Sequence, residues 1–101
     1  MRKVPPSYKS IGTSATEVYK VTSGRKAKIK KLWLHNTDTA NDRLVAFCDS
    51  DGNRISPQIK VPAGQTLFIS EDELPEMEFS GSIYMIADGA GVDVLPEVDE
   101  Q

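Results

Sequence analysis

The stretch Val21–Thr37, VTSGRKAKIKKLWLHNT, leaves a chain of this kind few folds to choose from. Ser23-Gly24 predicts a β-turn, Lys26–His35 follows as a long strand, and a polar turn begins at Asn36. Counted in a regular two-residue period, Lys28, Lys30, Leu32 and Leu34 share one face, while Ala27, Ile29, Lys31, Trp33 and His35 share the other. Each face is then charged in its first half and apolar in its second. That is a strand wet at its near end and buried at its far end, in a domain of short strands.

The remainder of the chain repeats the theme. Strands are expected at Thr16–Val21, Arg43–Cys48, Gln65–Ser70, Ile83–Ala87 and Val92–Leu95, each bounded by Gly, Pro, Asn, Asp or Ser. Pro57 breaks Arg54–Val61 into an edge strand or two short pieces, and Met77–Phe79 pairs briefly. Asp49–Asn53 (DSDGN) is a tight turn, and Glu71–Glu76 is an acidic segment with room for one helical turn only. No window sustains a helical period. Strands recurring about every 8–12 residues predict an all-β fold. The expectation is a single antiparallel β-sandwich, jelly-roll-like, of about seven or eight short strands. Residues 1–11 are read as an extended arm because Pro5-Pro6 lacks two backbone donors, 12–96 as the domain, and 97–101 as an acidic tail.

A chain of 101 residues has room for one core. No apolar run approaches the roughly 18–20 residues of a membrane span. The start, MRKVPPSYKS, has no apolar run after its positive residues, so no signal peptide is expected and cytoplasmic synthesis is the natural reading. The one cysteine, Cys48, allows no intramolecular disulfide. The net charge of −3 hides an asymmetry: residues 1–50 hold ten Lys/Arg against four Asp/Glu, and residues 51–101 hold two against eleven. Either the fold interleaves these charges, or a basic edge of one subunit meets an acidic edge of the next.

Candidate chemistry is sparse. Asp49-Ser50-Asp51-Gly52-Asn53 gathers oxygen ligands, yet no glutamate closes a calcium loop at the required distance, so a turn is expected rather than a metal site. His35 and Cys48 are single residues of their kinds, short of an oriented nucleophile–base set. Arg25, Lys26, Lys28, Lys30 and Lys31 form a basic cluster, better suited to solvated or edge-protecting lysine than to nucleic acid in an acidic domain. Glu71, Asp72, Glu73, Glu76 and Glu78 mirror it with opposite sign. Tyr8, Tyr19, Trp33 and Tyr84 are too scattered in sequence to define a sugar platform, so core or interface packing is expected of them.

Three segments carry a family resemblance: GTSATEVYKVTSGRKAKIKKLWLHNT, VPAGQTLFIS and FSGSIYMIADGAGVDVLPEV. In their turns and apolar positions they resemble small structural proteins of tailed phages and prophages, of the head-decoration, head–tail and tail-accessory kind. The match spans roughly residues 11–95, and Ser80-Gly81-Ser82-Ile83 departs from it by placing serine where that family has aspartate. The resemblance implies a sandwich that assembles with itself and with capsid or tail proteins, located in the virion after assembly in the bacterial host cytoplasm. It implies no catalysis, and no cofactor or metal is expected. Contact is expected through Tyr8, Arg25, Lys26 and Lys28 of one subunit against Glu71, Asp72 and Glu73 of the next. The alternative is a carbohydrate-binding β-sandwich module.

Overall fold

A computed structural model describes residues 8–74 and 77–101. Their eight strands are β1 (Lys9–Ile11), β2 (Thr16–Lys20), β3 (Ala27–Asn36), β4 (Arg43–Cys48), β5 (Ile59–Val61), β6 (Thr66–Ser70), β7 (Ser82–Ala87) and β8 (Val92–Glu100). The acidic segment contributes a single 3₁₀ turn, Glu71–Glu73. Two four-stranded sheets result, ordered β1-β8-β3-β6 and β2-β7-β4-β5. Every pairing is antiparallel. The expected all-β class holds, as do the positions of most strands.

The charge pattern of β3 resolves differently from a regular alternation. Ile29 pairs with Val98 and Lys31 with Glu97, so Lys30 has no partner on β8 and forms a β-bulge. One extra residue shifts the parity of everything beyond it. Ala27, Ile29, Leu32, Leu34 and Asn36 are therefore all buried, while Lys28 and Lys31 are exposed and Trp33 and His35 half-buried on the outer face. Apolar and charged residues that a two-residue count mixes on both faces are separated by the bulge. The strand is buried along its inner face from end to end, not at its far end alone.

Buried side chains from both sheets join one cluster, with Leu32, Leu34, Val92 and Val94 from the first and Val45, Phe47, Ile83 and Met85 from the second. Fully burying such a side chain contributes about 1.5–3 kcal/mol. Phe79, which bridges to Ala27, sets its ring 5.6 Å from that of Phe47. Among the described residues one polar side chain, Asn36, is sealed in with them. Asn36 donates from Nδ2 to the carbonyls of Asn41 and Val61 and accepts at Oδ1 from the Asp38 amide, which satisfies it and fixes the loop after β3.

The two ends of the chain depart from the sequence reading. Residues 97–100, read as a tail, continue β8, with Asp99 opposite Lys28 and Glu100 opposite Ala27. Pro96 interrupts the strand pattern in sequence, but β1 covers β8 only at Val92–Val94. Beyond Val94 one edge of β8 is open and accepts a residue without an N–H. Glu100 then fastens the end, accepting from the Thr22 amide (2.9 Å), the Thr22 hydroxyl (2.8 Å) and the Tyr19 hydroxyl (2.9 Å). Lys9–Ile11, read as part of the arm, pairs with β8, and Ile11 enters the core. The Pro5-Pro6 part of that arm lies outside the described residues, as do Pro75 and Glu76.

Candidate functional site on the outer face of the first sheet

The bulge turns Trp33 and His35 outward, and register then assembles two rows across the outer face of β1-β8-β3-β6. Trp33 is opposite both Leu95 and Phe68, an apolar row. One pleat further on, His35 is opposite both Asp93 and Thr66, and Asp93 is opposite Ser10, a polar row. Each row draws on strands far apart in sequence. Neither can be read from local spacing.

The rows meet at a cavity of about 320 Å³ lined by Tyr8, Trp33, His35, Thr66 and Asp93. Trp33 is held by Phe68, whose ring lies 5.0 Å away at an interplanar angle of 50°, an aromatic pair geometry that fixes the indole tilt. Tyr8 is 68% exposed and Phe68 50% exposed. His35 Nδ1 and Thr66 Oγ1 are 2.8 Å apart and hydrogen-bonded, which holds the imidazole in one orientation and leaves Nε2 without that bond. The aromatic residues divide between the sheets. Tyr8 and Trp33 line one cavity, whereas Tyr19 and Tyr84 belong to the second sheet, and Phe68, an aromatic residue absent from the sequence analysis, packs on Trp33 beside the cavity.

A second concavity, about 550 Å³, runs between the free edges of the two sheets. Pro57, Ile59, Leu67, Phe68, Ile69 and Leu74 form its apolar wall, with Glu73 on the rim. Among the described residues β5 and β6 each end their sheet, so both present an unpaired strand edge. Phe68 belongs to this groove and also packs on Trp33, so the apolar surface continues from one concavity to the other.

The charged clusters behave differently. Lys26 pairs with Glu78 at 3.2 Å, and Lys30 with Glu71 at 3.1 Å and Asp99 at 3.8 Å, all within one chain. Lys28 stands opposite Asp99 in the ladder. Asp72 and Arg25 form no ion pair within 4.0 Å among the described residues. Of the seven expected contact residues, Tyr8 lines the outer-face cavity and Glu73 borders the groove, while Lys26 and Glu71 hold partners in their own chain.

His35 and Cys48 sit on different sheets, with Cys48 buried and its thiol pKa raised by desolvation. Asp49 closes its own turn. Its carboxylate accepts from the amides of Asn53 and Asp51, which hold its pKa below the usual carboxylate range, the Asn53 amide most strongly. Among the described residues no three His, Cys, Asp or Glu side chains are grouped to hold a metal ion. No helix among them is long and apolar enough to cross a membrane. Comparisons with protein-family models, with curated proteins and with solved structures found no match for this chain.

Proposed function

We propose that this chain is a non-enzymatic structural protein of a tailed-phage or prophage virion, which assembles with itself and binds other capsid or tail proteins. The observation that carries the reading is the apolar groove between the unpaired edges of β5 and β6, continuous with half-exposed Phe68. A small domain that leaves two strand edges and an apolar wall uncovered is suited to a partner that covers them. The strand order supports a jelly-roll β-sandwich. The pairs β4–β5, β3–β6, β2–β7 and β1–β8 nest around one hairpin, and rolling that nest brings β8 beside β3 and β7 beside β4. Jelly rolls serve viral capsids among other hosts, a fold-level analogy that supports this function without specifying it.

Charge has a smaller part in this assembly than the sequence suggested. Lys26, Lys30 and Glu71 are engaged within the subunit, so the groove supplies the contact and Glu73 a charge on its rim. The row of Thr66, His35 and Asp93 has the residue types of a hydroxyl nucleophile, a base and its orienter. His35 and Asp93 lie on strands paired on both sides, where backbone N–H groups serve the ladders rather than an oxyanion. The row is a binding feature in this reading.

Sedimentation velocity over a range of concentrations tests the proposal. The expected result is concentration-dependent association that Phe68→Glu abolishes while the far-UV circular dichroism stays that of the parent protein. A monomer at every concentration, at low and moderate salt and with no change in Phe68→Glu, overturns self-assembly through this groove.

A further inference from the structure

We propose that the outer-face cavity lined by Tyr8, Trp33, His35, Thr66 and Asp93 is a binding site for a neutral saccharide ring. The site adjoins the edge groove through Phe68 but shares no lining residue with it, and the inference stands whether or not the chain assembles there.

The apolar and polar rows stand side by side at this cavity. A pyranose ring has an apolar C–H face and a rim of hydroxyls. An aromatic surface suits the first, and a set of acceptors and donors at its margin suits the second. Here Trp33 supplies the aromatic floor, its tilt set by Phe68 at 5.0 Å, and the exposed Tyr8 ring forms a wall. Asp93, His35 and Thr66 line the same cavity from the next pleat. An ionised Asp93 offers acceptor oxygens only, suited to vicinal hydroxyl donors. His35 has Nδ1 engaged by Thr66 Oγ1, so Nε2 is the nitrogen left for a ligand. Whether that nitrogen donates or accepts depends on the direction of the Thr66 bond, and a hydroxyl satisfies either case because it does both. At about 320 Å³ the cavity lies at the small end of ligand sites, roughly 300–1,000 Å³, the scale of one or two sugar rings rather than a long chain.

Other ligand classes fit less of the site. A phosphorylated ligand meets the Asp93 carboxylate with a like charge. A quaternary ammonium such as choline suits the aromatic rings and the carboxylate but brings a single hydroxyl for His35 and Thr66, so part of the polar lining is left without a partner. A hydroxylated ring uses both rows.

Trp33 is the only tryptophan, so its emission reports on the cavity directly. The test is a titration of the full chain with a panel of neutral glucose-, galactose- and N-acetylhexosamine-containing mono- and oligosaccharides, with choline as the cationic comparator. The expected result is a saturable change in Trp33 emission for at least one sugar and none for choline. Asp93→Asn and Thr66→Val should each weaken that binding about tenfold or more at an unchanged unfolding midpoint, and Lys28→Ala, elsewhere on the same face, should leave it unaltered. Trp33→Ala removes the floor, and its loss of binding is read by saturation-transfer NMR on the sugar. No saturable signal for any sugar up to tens of millimolar with the fold intact overturns the proposal, as does binding of choline alone. Sugar binding that survives both Asp93→Asn and Thr66→Val overturns the site assignment.

Discussion

Deleting Lys30 should leave this domain folded, although the residue sits in the middle of a ten-residue strand paired on both sides. Lys30 is the surplus residue of the bulge: without it, Ile29 and Lys31 face the adjacent residues Val98 and Glu97, and Ala27, Ile29, Leu32 and Leu34 alternate regularly on the inner face. The β6 ladder begins at Lys31 and is not displaced. What is lost is two exposed ion pairs, to Glu71 and Asp99, with the Lys30 side chain 37% exposed. Such pairs contribute about 0–1 kcal/mol each, so the expected cost is below about 2 kcal/mol. Deleting Trp33 instead leaves no register that keeps both leucines inside. Either Leu34 and Asn36 turn outward, or Leu32 does while Lys31 turns in. Losing one buried leucine costs about 2–5 kcal/mol, a large share of the roughly 5–15 kcal/mol that holds a small domain together. Urea unfolding followed by far-UV circular dichroism separates the two deletions, with Lys30→Ala as the control for the ion pairs. A Lys30 deletion that unfolds the chain, or costs more than about 3 kcal/mol while Lys30→Ala stays close to the parent, refutes the claim that the bulge residue is surplus.

Asn36→Asp keeps the shape of the buried side chain but replaces the Nδ2 donor with an oxygen facing the carbonyls of Asn41 and Val61. The expected loss is about 2–5 kcal/mol, read as a lowered urea midpoint at pH 7. Acid should weaken the fold through Glu100, Asp38 and Asp49. Their folded pKa values are lowered by the Thr22, Ala40 and Asn53 amides respectively, so the stability they contribute is present above their ordinary values of 4.5, 3.8 and 3.8 and is lost as pH falls through the lower folded values. Tyr19 has the opposite sign: burial, then its bond to Glu100, raises its pKa, so its contribution is present below pH 10.0 and is lost as pH rises through the folded value. Unfolding midpoints from pH 2 to 11 should therefore form a plateau with two falling ends, and Glu100→Gln should shrink the acid limb; an unchanged acid limb contradicts the role given to Glu100.

Much of the fold was legible because its punctuation is local. Ser23-Gly24, Asp51-Gly52 and Pro62-Ala63-Gly64 mark turns wherever the strands end up, and Gly24, Gly52 and Gly64 indeed adopt positive φ. Three things were hidden. The Lys30 bulge leaves as its only trace the change of phase between Ala27/Ile29 and Leu32/Leu34, which a single period cannot express. Pro96 signals a strand end unless one knows that β1 stops short of it. The outer-face cavity was hidden most completely, since Thr66 and Asp93 reach His35 only through ladders whose register is set by the core on the other side of the sheet. Sequence spacing located Trp33 and His35 on one strand face but could not say what stood beside them.

The division of charge along the chain gains a structural purpose from the nested pairing. β1, β2 and β3 pair with β8, β7 and β6 or β8, so much of the basic first half is placed against the acidic second half. Lys28 meets Asp99, Lys31 meets Glu97, and Lys30 reaches Glu71 and Asp99. Pairings inside one half bring like charges together instead. A hairpin joining β2 to β3 is the simplest competitor, since only the short Val21–Lys26 segment separates them, and it would set Lys20 near the lysines of β3. Cross-strand like charges are unfavourable by tenths of a kcal/mol to about 1 kcal/mol per pair, small beside the core but applied selectively to wrong registers. Long-range ladders close slowly because loop entropy is lost before their contacts form. An opposite-sign bias between the halves therefore acts when it is most needed, favouring β3 against β8 over β3 against β2. On this argument the +6 and −9 halves serve the subunit's own topology first, and the surfaces left for partners are those built around apolar and aromatic side chains: the edge groove and the aromatic cavity.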